Sequence, residues 1–444
     1  MQNSIALELA SGLAEDGFSL DELVVKTKEL FERKAMAEFV GLLLRLVDEL
    51  ICLRLVRGEG PWKPRLCCEH PRYTYKDFLS RTFRTSVGEV TILWRRLECV
   101  NCRASPVPLR EFLGLERYQK KTSELENLVV EVVSEQSYRR STRHLDLIGE
   151  IPVPKSTAHR WVMESGCDRI ETEGKVVDVL LPDGTGYKRR PDPETGRNNR
   201  GEIRVVLGIT GRGTLIPLGS WSGQSWDQIG EELRQGPPET WPKAQVLAAD
   251  GEGGLAEGLA GLFDDYQRCH WHAVHDLDFA LWKDQAPKEE RRARQSELAA
   301  TIGIELPEGD FQKVNPEDKT ALEERTRAAE EKIEALIRDL LKKGYDRAAD
   351  YVDRAKEKLF TYVRFWLRSG LICPRVSSWI ERIMREIGRR LKRMAFGWSE
   401  KGAEKITRII LRRITDAEAW NAYWQERMGI KGNVILAFRG ARVL

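Results

Sequence analysis

The chain has 444 residues, of which 41% are hydrophobic and 32% charged, and its formal net charge is +3. This composition excludes collagen-like and wholly disordered chains, and at about 150 residues per domain the length fits several folded units. The longest strongly apolar stretch, around Phe39 to Leu44, is far short of the roughly 18 residues that span a bilayer. Met1 is not followed by a basic segment and an apolar signal core, so a cytoplasmic protein with no membrane partner is expected. Charge is uneven: from Arg375 to Arg413 twelve Lys and Arg face four acidic residues, and 188–212 is also basic. Such clustering suits a polyanionic partner on one face. Eight cysteines are too few for a disulfide scaffold, but four of them fall in two tight clusters, at 67/68 and 99/102.

Residues 1–60 are predicted to be helical. Ser19-Leu20-Asp21-Glu22 has the residues of a capping box, with Leu23, Val24, Leu30 and Phe31 following at helical spacing. A second helix, Met36 to Leu55, is expected to pack Phe39, Leu42, Leu43, Leu46 and Leu53 along one side, and Gly58-Glu59-Gly60-Pro61 breaks it. Residues 61–112 carry short strand-like pieces (73–75, 82–85 and 89–97). Residues 113–172 return to helix.

From 173 to 283 strands and helices alternate: strands at 176–182, 202–209 and 213–219, a helix at 226–235, a strand at 244–249, a helix at 252–262 and a strand at 266–270. Residues 284–372 read as an all-helical insertion, in which Leu322, Ala329, Ile333, Leu336 and Leu340 form one apolar stripe. Residues 373–444 complete the preceding α/β unit with a basic helix and a strand-like tail, Val434 to Phe438.

Cys67-Cys68-Glu69-His70 and Cys99-Val100-Asn101-Cys102 supply two ligand pairs joined by the alternating run Val90 to Leu97. Four such ligands on two knuckles suit a structural Zn2+ in a zinc-ribbon-like module, with Cys67, His70, Cys99 and Cys102 as the set and Cys68 competing with Cys67. Arg95, Arg96 and Arg103 are expected to face a nucleic acid. Farther on, helices at 128–137 and from Tyr138 lead through Ile151-Pro152-Val153-Pro154 into a third helix. Pro154 is tolerated at its start, and Ser156 or Thr157 is available as a cap. Lys155, Thr157, His159 and Arg160 at its opening are candidate DNA contacts of a helix-turn-helix.

Asp183 ends the apolar run Val176 to Leu181 and precedes Gly184, and Asp250 repeats the arrangement after Val246-Leu247-Ala248-Ala249. Aspartates at adjacent strand ends can hold divalent ions that activate a water or a 3′-hydroxyl against a phosphodiester. The order of elements is that of a ribonuclease-H-like fold, in which a later helix supplies a third acid. Glu381 in Ser377-Ser378-Trp379-Ile380-Glu381 is the candidate, ahead of Glu386. Cys269 and His272 are assigned a supporting role behind the metal ligands, with His275 more remote. Trp271 reads as a core residue, and Trp226 as either core or a stacking surface for a flipped base.

Asp183-Gly184, Asp250-Gly251, Cys269-x2-His272 and Ser377-Ser378-x2-Glu381-Arg382-x2-Arg385-Glu386-x2-Arg389-Arg390 together resemble bacterial insertion-sequence transposases with a DDE core, of the ISKra type and akin to the Mutator-like group. The resemblance implies an α/β, ribonuclease-H-like core with a large helical insertion, preceded by helical, zinc-ribbon-like and helix-turn-helix modules. It implies Asp183, Asp250 and Glu381 as ligands of two Mg2+ or Mn2+ ions, and cleavage of transposon ends followed by strand transfer. It also implies that Cys269 and His272 are required near the active site. Double-stranded DNA, both terminal repeats and target, is the expected partner, with a homodimer or higher oligomer assembled in the bacterial cytoplasm. Ser378 stands where related enzymes often carry asparagine. Arg382, Arg385, Arg389, Arg390, Lys392 and Arg393 would grip phosphates. The rival expectations are a nuclease of this fold without strand transfer, and a DNA-binding protein with an inactive core.

Overall fold

Gly58 adopts a left-handed conformation (φ 72°) and its N–H closes on the carbonyl of Leu55, ending α1 (Met36–Arg57) where the sequence placed a break. A computed structural model describes residues 19–431 except 22–23, 26–27, 29–30, 32–34, 60–63, 65–66, 173–174, 192–193, 197–199 and 394–395. The expected strand Val434 to Phe438 and much of the expected helix from Ser19 to Phe31 lie outside the described residues. Two units divide the chain: Met1–Ser165 with Ala422–Leu444, and Gly166–Asn421.

In the first unit α1 packs on a long hairpin, β1 (Tyr73–Thr85) and β2 (Gly88–Cys99). The expected short strand pieces are one continuous antiparallel pair, interrupted only by a register shift between Tyr75 and Asp77. Ala37, Val40, Leu44, Val47 and Ile51 meet Phe83, Val90, Ile92 and Trp94 of the hairpin. The packed face of α1 is therefore not the expected one, since Phe39, Leu42 and Leu46 stay exposed. This helix is apolar around most of its circumference, so periodicity alone did not choose a face. Buried Asp48 helps choose it by accepting a 2.8 Å hydrogen bond from the backbone N–H of Arg95.

After the short α2 (Pro108–Phe112) come α3 (Ser123–Glu135), α4 (Tyr138–Gly149) and α5 (Lys155–Glu164). Thr122 and Ser137 cap α3 and α4 through their hydroxyls. Pro154 precedes α5, whose start has no side-chain cap, so Ser156 and Thr157 do not serve as expected. Leu125, Val129, Val133, Leu145, Ala158 and Val162 are buried within these helices.

The second unit is built on a five-stranded mixed sheet: β3 (Val179–Lys188), β4 (Arg200–Ile209), β5 (Leu215–Ser222), β6 (Ala244–Ala249) and β7 (Phe263–Arg268). Their spatial order is β5-β4-β3-β6-β7, with β4 antiparallel to both neighbours and β3, β6 and β7 mutually parallel. A capping box of Ser225 and Gln228 starts α6 (Trp226–Leu233), and only a four-residue α7 (Leu255–Gly258) forms where a longer helix was expected.

Trp226 is buried beside Leu180, Leu247 and Leu259, which removes the base-stacking alternative for it. Beyond β7 run α8 (His270–Lys283), α9 (Lys288–Ile302), α10 (Pro316–Lys342), α11 (Asp346–Ala355) and α12 (Thr361–Ser369). Leu322, Ala329, Ile333, Leu336 and Leu340 are all buried along α10. Next follow α13 (Ser378–Lys392), which packs on β3, and α14 (Glu400–Thr415), which packs on β5. The last described helix, α15 (Ala417–Met428), spans the boundary between the units in sequence. Among the described residues no helix is long and apolar enough to cross a membrane.

Candidate functional site

The parallel pairing of β3 with β6 aligns Val179 with Val246 and Leu180 with Leu247. Carried forward at the same offset, Asp183 falls level with Asp250. Asp183 lies inside β3 rather than beyond its end, because β3 continues along β4, where Asp183 pairs with Val205. Its Oδ1 accepts from the Gly184 N–H at 2.7 Å, and Asp250 Oδ1 accepts from the Glu252 N–H at 3.0 Å.

Burial, added to by the charges of Asp250 and Glu381, raises the Asp183 carboxyl to about 7, against lowering contributions from the Gly184 amide and His272. The three carboxylates thus share one electrostatic environment, at the end of the sheet where β6 turns. They are less closely gathered than a preformed metal cage. Among the described residues, only four cysteines bring their ligand atoms within 4.8 Å of one another.

Glu381 is held on the first turn of α13. Its N–H donates to Ser377 O at 2.9 Å, and Ser377 Oγ donates to its Oε1 at 2.6 Å. The same hydroxyl lies 3.4 Å from Cys269 Sγ. Cys269 does not end β7 as expected but precedes α8, tied to the end of β6 by a 2.8 Å bond from its N–H to Ala249 O. Burial raises the Cys269 thiol, but hydrogen bonds from His272 and from the Ser377 backbone N–H, 3.4 Å from Sγ, outweigh this and lower it to about 7. Burial lowers His272, and its bond to Cys269 more than compensates, raising it. Cys269, Ser377 and Glu381 therefore form one relay, extended by His272. His270 faces away, bonded to Leu359 O at 2.8 Å, and burial lowers it to about 4.

Two residues here were not foreseen. Arg268 is buried, and its guanidinium bonds Asp276 at 2.6 Å and the Tyr351 hydroxyl at 3.2 Å. Its Nη1 has no partner, and it lies 2.0 Å from where a Cβ on Gly251 (φ 83°) would stand. Glycine at 251 is thus required twice, by its backbone and by the arginine above it. The signal was the strand-end position of Arg268, two residues after Tyr266. Ser377 was overlooked in favour of Ser378, which is exposed. Ser377→Ala is expected to cost roughly 1–3 kcal/mol through the lost bond to a carboxylate. Ser378→Ala should leave the thermal midpoint unchanged, and comparing the two melting curves checks the assignment.

The basic helix needs one correction. Arg382, Arg385, Arg389, Lys392 and Arg393 are exposed. Arg390 is buried, with its guanidinium 4.6 Å over the Trp398 ring, because its place in the helical repeat faces the core. Arg389 also bonds Glu386 at 2.7 Å, which occupies the rival third acid. On α5, Lys155, His159 and Arg160 are exposed and Thr157 is half-buried. Arg95 and Arg96 are engaged rather than free. Arg95 stacks on Tyr75 and Phe78 at 4.5 and 4.6 Å, and Arg96 pairs with Asp77. Arg103 lies 3.6 Å from Glu98.

A separate cluster in the first unit joins Cys67, Cys68, Cys99 and Cys102. The second cysteine of the first pair, not His70, completes it, and His70 is exposed. The register of Tyr73 with Cys99 brings the two segments together at the base of the hairpin. The Cys67–Cys102 and Cys68–Cys99 sulfur separations are 3.6 and 3.8 Å, and all four thiols are free of disulfides. A tetrahedron with metal–sulfur bonds of about 2.3 Å has edges of about 3.8 Å, so the sulfurs can hold one metal ion. Burial opposes ionisation of Cys99, yet backbone bonds from Cys102, Arg72 and Asn101 bring it down to about 6, whereas burial pushes Cys67 up to about 12 and raises Cys68, so an ion bound by all four would displace their protons.

No family model matches the chain, and no curated protein matches it.

Proposed function

We propose that the chain is a metal-dependent DNA transposase with a ribonuclease-H-like core, using Asp183, Asp250 and Glu381 as its acidic triad. The observation that carries this reading is the parallel pairing of β3 with β6, whose offset puts Asp183 of β3 and Asp250, just past β6, at corresponding positions, with Glu381 on a helix packed against β3. The sheet order β5-β4-β3-β6-β7, with β4 antiparallel, supports the same class of core.

A divalent cation fits the donor set, because the mutual repulsion that helps raise Asp183 is what a positive ion would offset. Mg2+ or Mn2+, when bound, activates a water or 3′-hydroxyl and stabilises the leaving oxygen of the phosphodiester. Asp183 and Asp250 would hold it. Ser377 orients Glu381 toward the same space, while Cys269 and His272 fix Ser377 and the sheet end. Exposed Arg382, Arg385, Lys392 and Arg393, together with Lys155 and Arg160, supply cations for duplex DNA phosphates, and His159 a ring N–H donor. The four-cysteine site is assigned to structural Zn2+, since four thiolates leave no open position for chemistry. A dimer or larger assembly on DNA is part of the proposal.

The test is cleavage and strand transfer on labelled DNA carrying the element's own ends, comparing the wild type with Asp183→Ala in Mg2+ or Mn2+. Nicked and joined products, reduced at least about 1000-fold in the variant, are expected. Nicking without joining would favour a nuclease. Equal DNA binding with no cutting by either protein would favour a DNA-binding protein and overturn the proposal.

A further inference from the structure

The exposed positions of α8 are Trp271, His275, Phe279, Trp282 and Lys283. Trp271, Phe279 and Trp282 are 57%, 51% and 58% exposed. Trp271, expected in the core, is therefore on the surface. The rings are ordered in pairs: Trp271 stacks on His275 at 5.1 Å and 13°, and Phe279 on Trp282 at 5.7 Å and 15°. Trp271 and Trp282 lie 11 positions apart on the helix, about 16 Å.

The stripe starts beside Cys269 and His272 and leads away from the candidate site. Beside its first rings opens a cleft of about 370 Å³, lined by His270, Val274, Gln295 and Val376.

The chemistry of the stripe selects its occupant. A helix seam between protein copies is built mainly from aliphatic side chains in heptads, and none stands on the exposed positions of this face. The helix also presents no uncompensated carboxylate: Asp276 bonds Arg268 at 2.6 Å and Asp278 bonds Arg291 at 3.2 Å. Lys283 Nζ lies 4.4 Å over the Phe279 ring, adding positive charge at the far end. Flat rings in series with flanking cations are what unpaired bases stack on, and every base offers a ring face.

We infer that α8 is a platform for unpaired bases of the DNA strand at the candidate site, the rings stacking bases and Lys283 meeting the backbone. This rests on the nucleic-acid reading proposed above and specifies the form of the substrate.

The test measures binding of the full-length protein to a fluorescent 20-nucleotide single strand and to the same sequence as duplex, with 2-aminopurine reporting stacking. The triple variant Trp271→Ala, Phe279→Ala, Trp282→Ala is expected to bind the single strand about 30–100-fold more weakly and the duplex less than about 3-fold more weakly. Trp271→Phe with Trp282→Phe keeps flat rings and should bind within about 3-fold of wild type. Equal weakening on both DNAs would overturn the inference. So would unchanged binding with a shift to monomer in sedimentation, which would make the stripe a contact between copies. If wild type never cuts DNA but the triple variant still loses the single strand, the transposase proposal falls and this inference stands. If wild type cuts and the triple variant binds the single strand normally, the inference alone falls.

Discussion

Asp183→Asn should stabilise the protein in magnesium-free buffer at pH 8 while removing the DNA cleavage proposed for it. The Asp183 carboxyl is raised from 3.8 to about 7, chiefly by burial and then by neighbouring Asp250 and Glu381. A raised carboxyl means the folded state holds its proton more tightly than the unfolded chain. Its relative contribution is therefore most favourable below pH 4, declines as pH rises, and reaches its full penalty above pH 7. Three pH units correspond to about 4 kcal/mol at most, and relaxation around the site reduces this to roughly 2–4 kcal/mol.

The gain from Asn should thus be negligible at pH 4, grow between pH 4 and 7, and level off above. Thermal midpoints across that range measure it. Added Mg2+ should raise the midpoint of the wild type by mass action and leave the variant nearly unmoved. A variant less stable than wild type at pH 8 would mean that Asp183 is favourably paired as an anion, and the electrostatic account would fail.

The second large effect is expected at the four cysteines. If the four cysteines hold the proposed zinc, the wild type should carry about one equivalent per chain and Cys99→Ser about a tenth of that or less, read by elemental mass spectrometry. A two-stranded hairpin is marginal alone, and this one has two anchors. Phe83, Val90, Ile92 and Trp94 pack against α1 at one end, and Tyr73, Leu97 and Cys99 pack with Cys52 and Leu55 at the cysteine end. Losing the ion should release the second anchor first. Amide exchange should rise by about 100-fold or more in 67–75 and 97–104 and change little in α3. His70→Ala should leave zinc content unchanged. Loss of zinc in that variant, with Cys68→Ser retaining it, would return His70 to the ligand set.

The elements that carry the candidate residues were legible because each depends on local pattern. Val246 to Ala249 followed by Asp250-Gly251 reads as a strand and a turn in any context, and Cys-x2-Cys reads as a knuckle. The helical insertion followed from the 3.6-residue spacing of Leu322, Ala329, Ile333, Leu336 and Leu340.

What escaped was the choice between local equals. Cys68 and His70 are both ligand types, and only the register of Tyr73 with Cys99 settled which one reaches the other pair. Arg390 looks like Arg389 in sequence, but one helical step turns it inward against Trp398. Phe39 and Val40 compete equally for a core, and the hairpin took Val40. Ser377 and Ser378 differ only in which faces Glu381.

The amino-acid sequence by itself determined roughly where strands, helices and turns occur and which segments carry candidate residues, because backbone geometry and side-chain periodicity act over a few residues. Only the tertiary structure decided which residues meet. The β3–β6 offset shared by Asp183 and Asp250, the contacts among Cys269, Ser377 and Glu381, and Arg268 above Gly251 all arise from pairing between distant segments. That pairing is set by complementary surfaces and buried charge, which no local pattern encodes.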